Sequence, residues 1–181
     1  RGLLYSAPKF EHSYPHCWRC HEPVIFRATD QWFVSMDKTG LREQALDQVR
    51  NHVSWYPEHA VNRIGAMVEQ RPDWCISRQR RWGLPIPVFY CADCGKPVCT
   101  DETIEAVSAL FAEKGSNAWF EMDAADILPK GFACPHCGKS AGFTKEEDTL
   151  DGWFDSGSTH FAAMKKDQGF WPATMYLEGL D

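Results

Sequence analysis

The sequence lacks the features that mark several classes of protein. No run of about 18 apolar residues occurs, so we predict no membrane-spanning helix. No low-complexity tract is present, and the first residues lack the basic-then-apolar pattern of a signal peptide. Positive charge is also scarce, since 19 lysines and arginines face 25 aspartates and glutamates, a net charge of −6. Such a chain does not coat nucleic acid by charge alone, and any contact of that kind needs a local basic cluster.

What is present is the composition of an ordinary globular protein. The 181 residues are 44% hydrophobic and 24% charged, which suits one medium domain or two small ones. The first residue is arginine rather than methionine, and the last residues carry no mark of a chain end. We therefore interpret the chain as an internal piece of a longer protein.

Eight cysteines carry the clearest spacing pattern. Cys75 and Cys99 are single, whereas the other six form three Cys-x-x-Cys pairs: Cys17/Cys20, Cys91/Cys94 and Cys134/Cys137. The second and third pairs are near copies, each with a glycine directly after its second cysteine. This is the pattern of a zinc knuckle, a turn in which the glycine takes a positive φ and backbone amides point at the thiolates.

Two knuckles supply four thiolates, the full ligand set of a tetrahedral Zn²⁺ site. We therefore predict one structural zinc ion bound by Cys91, Cys94, Cys134 and Cys137. Residues 95–133 separate the knuckles, which is longer than in a minimal zinc ribbon, and we expect an excursion from the ribbon there. The alternative is four reduced thiols without metal.

The pair Cys17/Cys20 has no second pair left to complete a site within this chain. Three interpretations stay open. Nearby histidines (His12, His16 and His21) could complete a metal site, a partner pair could lie upstream in a longer chain, or the pair could bind no metal.

Hydrophobic periodicity gives a coarse order of elements. Residues 24–35 are rich in β-branched and aromatic side chains and predict one or two strands. Apolar residues at helical spacing predict helices at 38–52, between 61 and 71, and from Thr100 or Asp101 to Gly115. Further elements are predicted as a strand at 85–90, a helix at 159–167 and a short apolar strand at 175–177.

Residues 71–87 mix arginines with tryptophans. Guanidinium groups bind phosphate in a bidentate manner and indole rings stack on bases, so the mixture is typical of an RNA contact. The candidates for RNA binding are Arg78, Arg80, Arg81 and Trp82. The alternative is an arginine-rich surface helix whose tryptophans, Trp74 and Trp82, pack in the core.

The same segment carries a family resemblance. Residues 73–83, Asp-Trp-Cys-Ile-Ser-Arg-Gln-Arg-Arg-Trp-Gly, resemble the signature that class I aminoacyl-tRNA synthetases of the isoleucine/valine/leucine group carry after their editing domain. Four more blocks follow the family order, at residues 13–19, 25–33, 148–157 and 176–179. The likeness covers residues 12–181, and the residue choices favour the isoleucyl subgroup. One departure is Leu180, where the family usually has serine.

The resemblance implies an α/β fold, a fragment of the Rossmann-like catalytic region of a class I synthetase with a zinc-ribbon insertion. It implies four segments: 1–23 returning from the editing domain, 24–88 forming a connective α/β region with the Arg/Trp signature, 89–147 forming the zinc-ribbon insertion with one helix, and 148–181 beginning the second half of the catalytic domain.

For the parent enzyme the resemblance implies activation of isoleucine with ATP and Mg²⁺ and transfer to tRNA(Ile), in the cytoplasm, with no DNA or membrane partner. Glu178, Gly179 and Asp181 would line the adenylate site, where a carboxylate can hold the substrate ammonium or a ribose hydroxyl. Trp153 would form a pocket wall, since a flat apolar ring suits a branched aliphatic group. The alternatives are core packing for Trp153 and a solvated strand end for Glu178.

An isoleucine pocket rejects valine poorly, because one methylene is worth only about 1–3 kcal/mol, a rule for which this enzyme group is itself the usual example. The family edits valine in an adjacent domain, and only the exit from it would fall in this chain, at residues 1–12. The family signatures His-Ile-Gly-His and Lys-Met-Ser-Lys-Ser are absent, so we expect the chain alone to be inactive. The alternatives are a valyl enzyme fragment and a free-standing zinc-ribbon RNA-binding module.

Overall fold

The described residues are 2–80, 82–140, 142–164, 169 and 171–179, in a computed structural model. They divide into two units, residues 1–30 and residues 31–181. Among the described residues, none of the helices has the length and apolar character needed to cross a bilayer.

The described residues of the first unit have no helix or strand and contain one turn. The turn covers the Cys17/Cys20 pair, and a backbone bridge between His16 and Pro23 closes it. The prediction of strands over residues 24–35 holds only for β1 (Phe33–Val34), which belongs to the second unit. Ile25 and Phe26 are 85% and 81% exposed, so the apolar pattern there does not correspond to a buried strand.

The second unit begins with β1 and a helical pair. Helix α1 (Leu41–Asp47) continues as a π-helical turn (Gln48–His52), and α2 (Ala60–Gln70) packs against it. Both predicted helices are confirmed, although the first starts at Leu41 because Gly40 precedes it with a φ of +69°. Arg42 joins the two helices by donating from Nη1 to the carbonyl of Val68 at 2.7 Å.

The Arg/Trp signature forms two short strands rather than a surface helix. Strand β2 (Trp74–Cys75) pairs antiparallel with β1, and β3 (Ser77–Arg78) pairs antiparallel with β7 (Thr149–Leu150). The second pairing places the signature beside the segment that leads to the helix beginning at Gly152. The surface-helix alternative is therefore wrong.

A three-stranded antiparallel sheet carries the two knuckles, in the order β5-β4-β6. Its strands are β4 (Phe89–Cys91), β5 (Pro97–Val98) and β6 (Phe143–Lys145). Between β5 and β6 lie three helices, α3 (Asp101–Lys114), α4 (Ala118–Glu121) and α5 (Ala124–Ile127). The sequence predicted one helix here, and the four-residue α4 and α5 are too short to show a helical period.

Burial of large side chains holds these helices on the sheet. Phe89 and Trp119 are 0% and 1% exposed, with ring centroids 5.1 Å apart. The bounds of α3 confirm the prediction, since Thr100 accepts the backbone N–H of Thr103 as its N-cap and Gly115 follows the last turn.

Helix α6 (Gly152–Ala162) starts well before the predicted helix at 159–167, of which residues 165–167 lie outside the described part of the chain. Asp151 caps its first turn, so the helix begins within the segment Asp-Gly-Trp-Phe-Asp at residues 151–155. The predicted strand at 175–177 is also wrong, since no strand is assigned there and Met175 and Leu177 are 75% and 85% exposed. A three-residue apolar run gains nothing as a strand without a neighbour to pair with.

In the described part of the chain every strand pair is antiparallel.

Candidate functional site

The four predicted zinc ligands come together. The sulfur atoms of Cys91, Cys94, Cys134 and Cys137, which we call the four-cysteine cluster, all lie within 4.8 Å of one another. The Cys91–Cys137 and Cys94–Cys134 sulfur pairs are 3.6 and 3.8 Å apart. A tetrahedron with Zn–S bonds of about 2.3 Å has sulfur–sulfur edges of about 3.8 Å. The donor set and its spacing therefore fit Zn²⁺.

Both knuckles have the same backbone hydrogen bonds. In the first, the carbonyl of Cys91 accepts the N–H of Gly95 at 2.7 Å, and the N–H of Cys91 donates to the carbonyl of Lys96 at 3.1 Å. The second knuckle, built on Cys134, repeats these bonds at 2.8 and 2.7 Å. Gly95 and Gly138 have φ values of +67° and +76°, which confirms the predicted reason for glycine at these positions.

The electrostatics of the cluster favour a cation at its centre. Burial raises the pKa of Cys134, but hydrogen bonds from the backbone N–H groups of His136 and Cys137 and from the thiols of Cys137 and Cys94 together outweigh it and bring that pKa down to about 7. The backbone N–H of Lys139 lowers the pKa of Cys137, yet burial and hydrogen bonds with the other three sulfurs raise it to about 12. One cysteine thus ionises readily, and its negative charge disfavours ionisation of the next. A divalent cation bound between the sulfurs removes this electrostatic repulsion.

The third pair adopts the same turn. The N–H of Cys17 donates to the carbonyl of Glu22 and the N–H of His21 donates to the carbonyl of Cys17, both at 2.8 Å. His21 takes a φ of +61°, the place that glycine fills in the other two knuckles. Hydrogen bonds from the backbone N–H groups of Cys20 and Arg19 lower the pKa of Cys17. This pair is therefore a third knuckle in backbone geometry.

No complete metal site surrounds that third knuckle in the part of the chain that the structure describes. Among the described residues, the four-cysteine cluster is the only group of three or more histidine, cysteine, aspartate or glutamate side chains that could hold a metal ion. The Nδ1 atom of His16 lies 2.6 Å from the carbonyl oxygen of His21, and that of His12 lies 2.9 Å from the carbonyl oxygen of Ser13. The interpretation in which nearby histidines complete the site is therefore not supported.

The candidate RNA-binding residues have different environments in the structure. Arg78 is half-buried, and its Nη1 atom donates to the carbonyls of Cys75 and Ser77 at 2.7 and 2.8 Å. Arg80 is exposed and Trp82 is 92% exposed. Arg80 lines a cleft of about 610 Å³, whose other lining residues include Phe120, Lys145, Asp123, Glu146 and Glu147. Arg81 lies outside the described residues.

The predicted substrate residues lie on and after α6. Trp153 is 51% exposed at the rim of an open cleft of about 410 Å³, so plain core packing does not describe it. Glu178 and Gly179 are exposed, and Asp181 lies outside the described residues. Tyr176 donates its hydroxyl to the carbonyl of Ser156, which links this residue to α6.

Two organising side chains were not predicted. Asp151 contacts Trp74, Arg78 and the first turn of α6, and an aspartate just before a helix is a recognisable cap signal. Glu146 accepts hydrogen bonds from Trp32 and Tyr90, and no local pattern marks such a residue.

Comparison with known proteins identifies the family of this chain. Residues 11–181 match the family described as tRNA synthetases class I (I, L, M and V). Proteins named isoleucine--tRNA ligase are similar to the chain: 55% identity in Carboxydothermus hydrogenoformans, over 99% of this chain and 20% of that protein; 56% in Caldanaerobacter subterraneus, over 99% and 19%; and 54% in Aquifex aeolicus, over 100% and 19%. The chain thus spans about a fifth of the length of these relatives. It belongs to the class I tRNA synthetase family.

Proposed function

We propose that the chain is part of an isoleucine--tRNA ligase, which activates isoleucine with ATP and Mg²⁺ and transfers it to tRNA(Ile). The observation that carries this is the match of the whole chain to proteins of that name at 54–56% identity. It favours the isoleucyl over the valyl enzyme. The match is continuous across the signature and both flanks, which argues against a free-standing zinc-ribbon module.

The four-segment division is part of this proposal. Residues 24–88 serve as the connective region, 89–147 as the zinc-ribbon insertion and 148–181 as the start of the second half of a Rossmann-like catalytic domain. The β3–β7 pairing supports it, because this pairing returns the chain to the signature after the insertion. Residues 1–23 are proposed as the return from an editing domain.

Zinc in this proposal is structural. The four-cysteine cluster would hold one Zn²⁺, which would cross-link the two knuckles on either side of α3, α4 and α5. Cys17 and Cys20 would contribute two ligands to a second site, with the remaining two from a preceding part of the parent enzyme. The knuckle geometry at Cys17 supports this, because a turn already shaped for a metal needs only its partner ligands.

The substrate roles follow the resemblance. Trp153 would form a wall of the side-chain pocket, and its half-exposed ring beside a cleft supports that role. Glu178, Gly179 and Asp181 would line the adenylate site. For RNA, Arg80 and Trp82 are the supported candidates, since the Arg78 guanidinium is committed within the chain.

The test uses the full-length parent enzyme in amino-acid-dependent ATP–pyrophosphate exchange. We expect kcat/KM to be highest for isoleucine, and we expect the 181-residue chain alone to show no exchange because both ATP signatures are absent. Exchange supported best by valine or leucine would overturn the proposal.

The RNA contact is tested in the same enzyme. Trp82→Ala should raise the KM for tRNA in aminoacylation and leave ATP–pyrophosphate exchange unchanged. An unchanged KM for tRNA would show that Trp82 does not contact the RNA.

A further inference from the structure

Asp151 joins the signature segment to the start of α6. Its Oδ2 atom accepts hydrogen bonds from Nη2 of Arg78 at 2.8 Å and from Nε1 of Trp74 at 3.0 Å. Its Oδ1 atom accepts the backbone N–H of Trp153 at 3.4 Å. The N–H of Asp151 donates to the carbonyl of Ile76 at 2.8 Å. One carboxylate therefore connects the signature strands to the first turn of the helix that carries Trp153.

This carboxylate is nearly buried, since its side chain is 9% exposed. Burying a charge is costly unless it is paired and hydrogen-bonded, and here both oxygens have partners. Arg78 is itself fixed by its bonds to the carbonyls of Cys75 and Ser77. The charge-assisted bond between the two groups has a narrow range of geometry, so it fixes Asp151 relative to the signature.

Trp153, by contrast, is only partly packed. It is 51% exposed at the rim of the cleft that Trp74, Arg78 and Asp151 also line. An aromatic ring at such a place is located mainly by its backbone. Asp151 accepts the backbone N–H of Trp153, and the hydroxyl of Ser156 donates to its carbonyl at 3.3 Å. Ser156 belongs to α6 itself, so of these two contacts the one from Asp151 connects Trp153 to the signature.

We propose that Asp151 is a positioning residue that sets the place of Trp153 and thereby the selectivity of the amino-acid pocket. The inference rests on the proposed function, in which Trp153 is a wall of that pocket. Isoleucine and valine differ by one methylene, so a small displacement of an apolar wall changes their difference in binding. Loss of the Arg78–Asp151 link therefore acts on selectivity more than on ATP binding.

The experiment uses the full-length parent enzyme with Asp151→Asn. Asparagine keeps the size and the helix-capping ability of aspartate but loses the charge that pairs with Arg78. Isoleucine- and valine-dependent ATP–pyrophosphate exchange is measured without tRNA. We expect the KM for isoleucine to rise and the isoleucine-to-valine ratio of kcat/KM to fall about three- to tenfold, with the KM for ATP unchanged. The ratio does not depend on the concentration of active enzyme, so partial misfolding does not alter it.

Asp148→Asn is the matched control. Asp148 accepts a hydrogen bond from Gln79 at 2.7 Å, so it links the same two stretches of chain but does not contact α6. We expect its ratio to stay at the wild-type value. If Asp151→Asn fails to fold, Arg78→Lys tests the link from the other side, because lysine keeps the charge but loses the planar fork. It should shift the ratio in the same direction.

Trp153→Ala separates failure of this inference from failure of the proposed function. If Trp153→Ala changes the ratio while Asp151→Asn and Arg78→Lys do not, the positioning role is refuted and the pocket role stands. If Trp153→Ala leaves the KM for isoleucine and the ratio unchanged, the pocket-wall role fails and this inference fails with it. An equal fall of the ratio in Asp148→Asn would show general loosening and would also overturn the positioning role.

Discussion

Glu146 connects the three-stranded sheet that carries the cysteines to Trp32, the residue before β1, and replacing it gives a sharp prediction. Its Oε2 atom accepts hydrogen bonds from Nε1 of Trp32 at 2.8 Å and from the hydroxyl of Tyr90 at 2.5 Å. Its Oε1 atom accepts the backbone N–H groups of Glu147 and Asp148 at 2.8 and 3.0 Å. Each oxygen thus faces two donors.

We expect Glu146→Gln to destabilise the chain, because the amide NH₂ group replaces one of the two accepting oxygens. The hydroxyl of Tyr90 can rotate to accept from this NH₂ group, but the Nε1–H of Trp32 cannot. At least one hydrogen bond is therefore lost, and a bond to a charged group is worth about 1.5–3 kcal/mol. Glu146 is half-buried, so water replaces part of the loss. We expect the free energy of unfolding to fall by about 1–2 kcal/mol, and the melting temperature to fall by about 2–4 °C for each kcal/mol.

Urea unfolding followed by tryptophan fluorescence measures this difference. Glu147→Gln is the control, since that neighbouring side chain is exposed and its substitution should change stability by no more than about 0.5 kcal/mol. Equal stability of the two variants would refute the assignment of Glu146 as the connecting residue.

The dependence on pH supplies a second check of the same variant. Burial alone raises the pKa of Glu146, but hydrogen bonds from Trp32, Tyr90 and two backbone N–H groups outweigh it, so the pKa lies below its ordinary value of 4.5. A depressed carboxylate pKa stabilises the folded state above the unfolded pKa, and this stabilisation is lost as pH falls through the folded pKa. The advantage of wild type over Glu146→Gln should therefore be constant above about pH 5 and shrink below pH 4.5.

Two other predictions concern the proposed sites. Cys91→Ser should abolish stoichiometric zinc measured by elemental analysis, whereas Cys99→Ser, a change of an exposed cysteine outside the cluster, should retain one zinc ion per four-cysteine cluster. A wild-type chain that carries no zinc after purification without chelator would contradict this. In the parent enzyme, Glu178→Ala should lower kcat/KM for isoleucine-dependent exchange about ten- to a hundredfold through loss of a charge-assisted hydrogen bond. Its unfolding free energy should change by less than about 0.5 kcal/mol, and unchanged exchange would leave Glu178 without a ligand role.

The parts of the fold that depend on local chemistry could be predicted from sequence. The knuckles at Cys91 and Cys134 follow from two thiols and a glycine within a few residues, and α3 follows from its cap and its apolar period. Asp151 and Glu146 could not be predicted in this way, because their partners are remote along the chain. Trp74 lies 77 residues from Asp151, and Trp32 lies 114 residues from Glu146.

The misplaced elements near the end of the chain have a related cause. A strand is defined by its neighbour, so the apolar residues Met175 and Leu177 predict a strand only if another strand lies beside them. The predicted start of α6 lies too late in the chain because the first turn of the helix contains Gly152, which weakens the helical period. The cap from Asp151 and the contact of Tyr176 with the helix outweigh that weakness in the folded chain.

The third knuckle shows how a local pattern and a complete site differ. The backbone around Cys17 has the hydrogen bonds of the other two knuckles although a histidine, not a glycine, occupies the position of positive φ. A left-handed residue other than glycine costs about 1–2 kcal/mol, so the turn is set by its own hydrogen bonds against that cost. Four ligands, however, require two such turns to meet, and the three-stranded sheet brings them together only for Cys91 and Cys134 in the described residues. Local sequence therefore determines the shape of each knuckle, and the long-range fold determines which knuckles form a metal site.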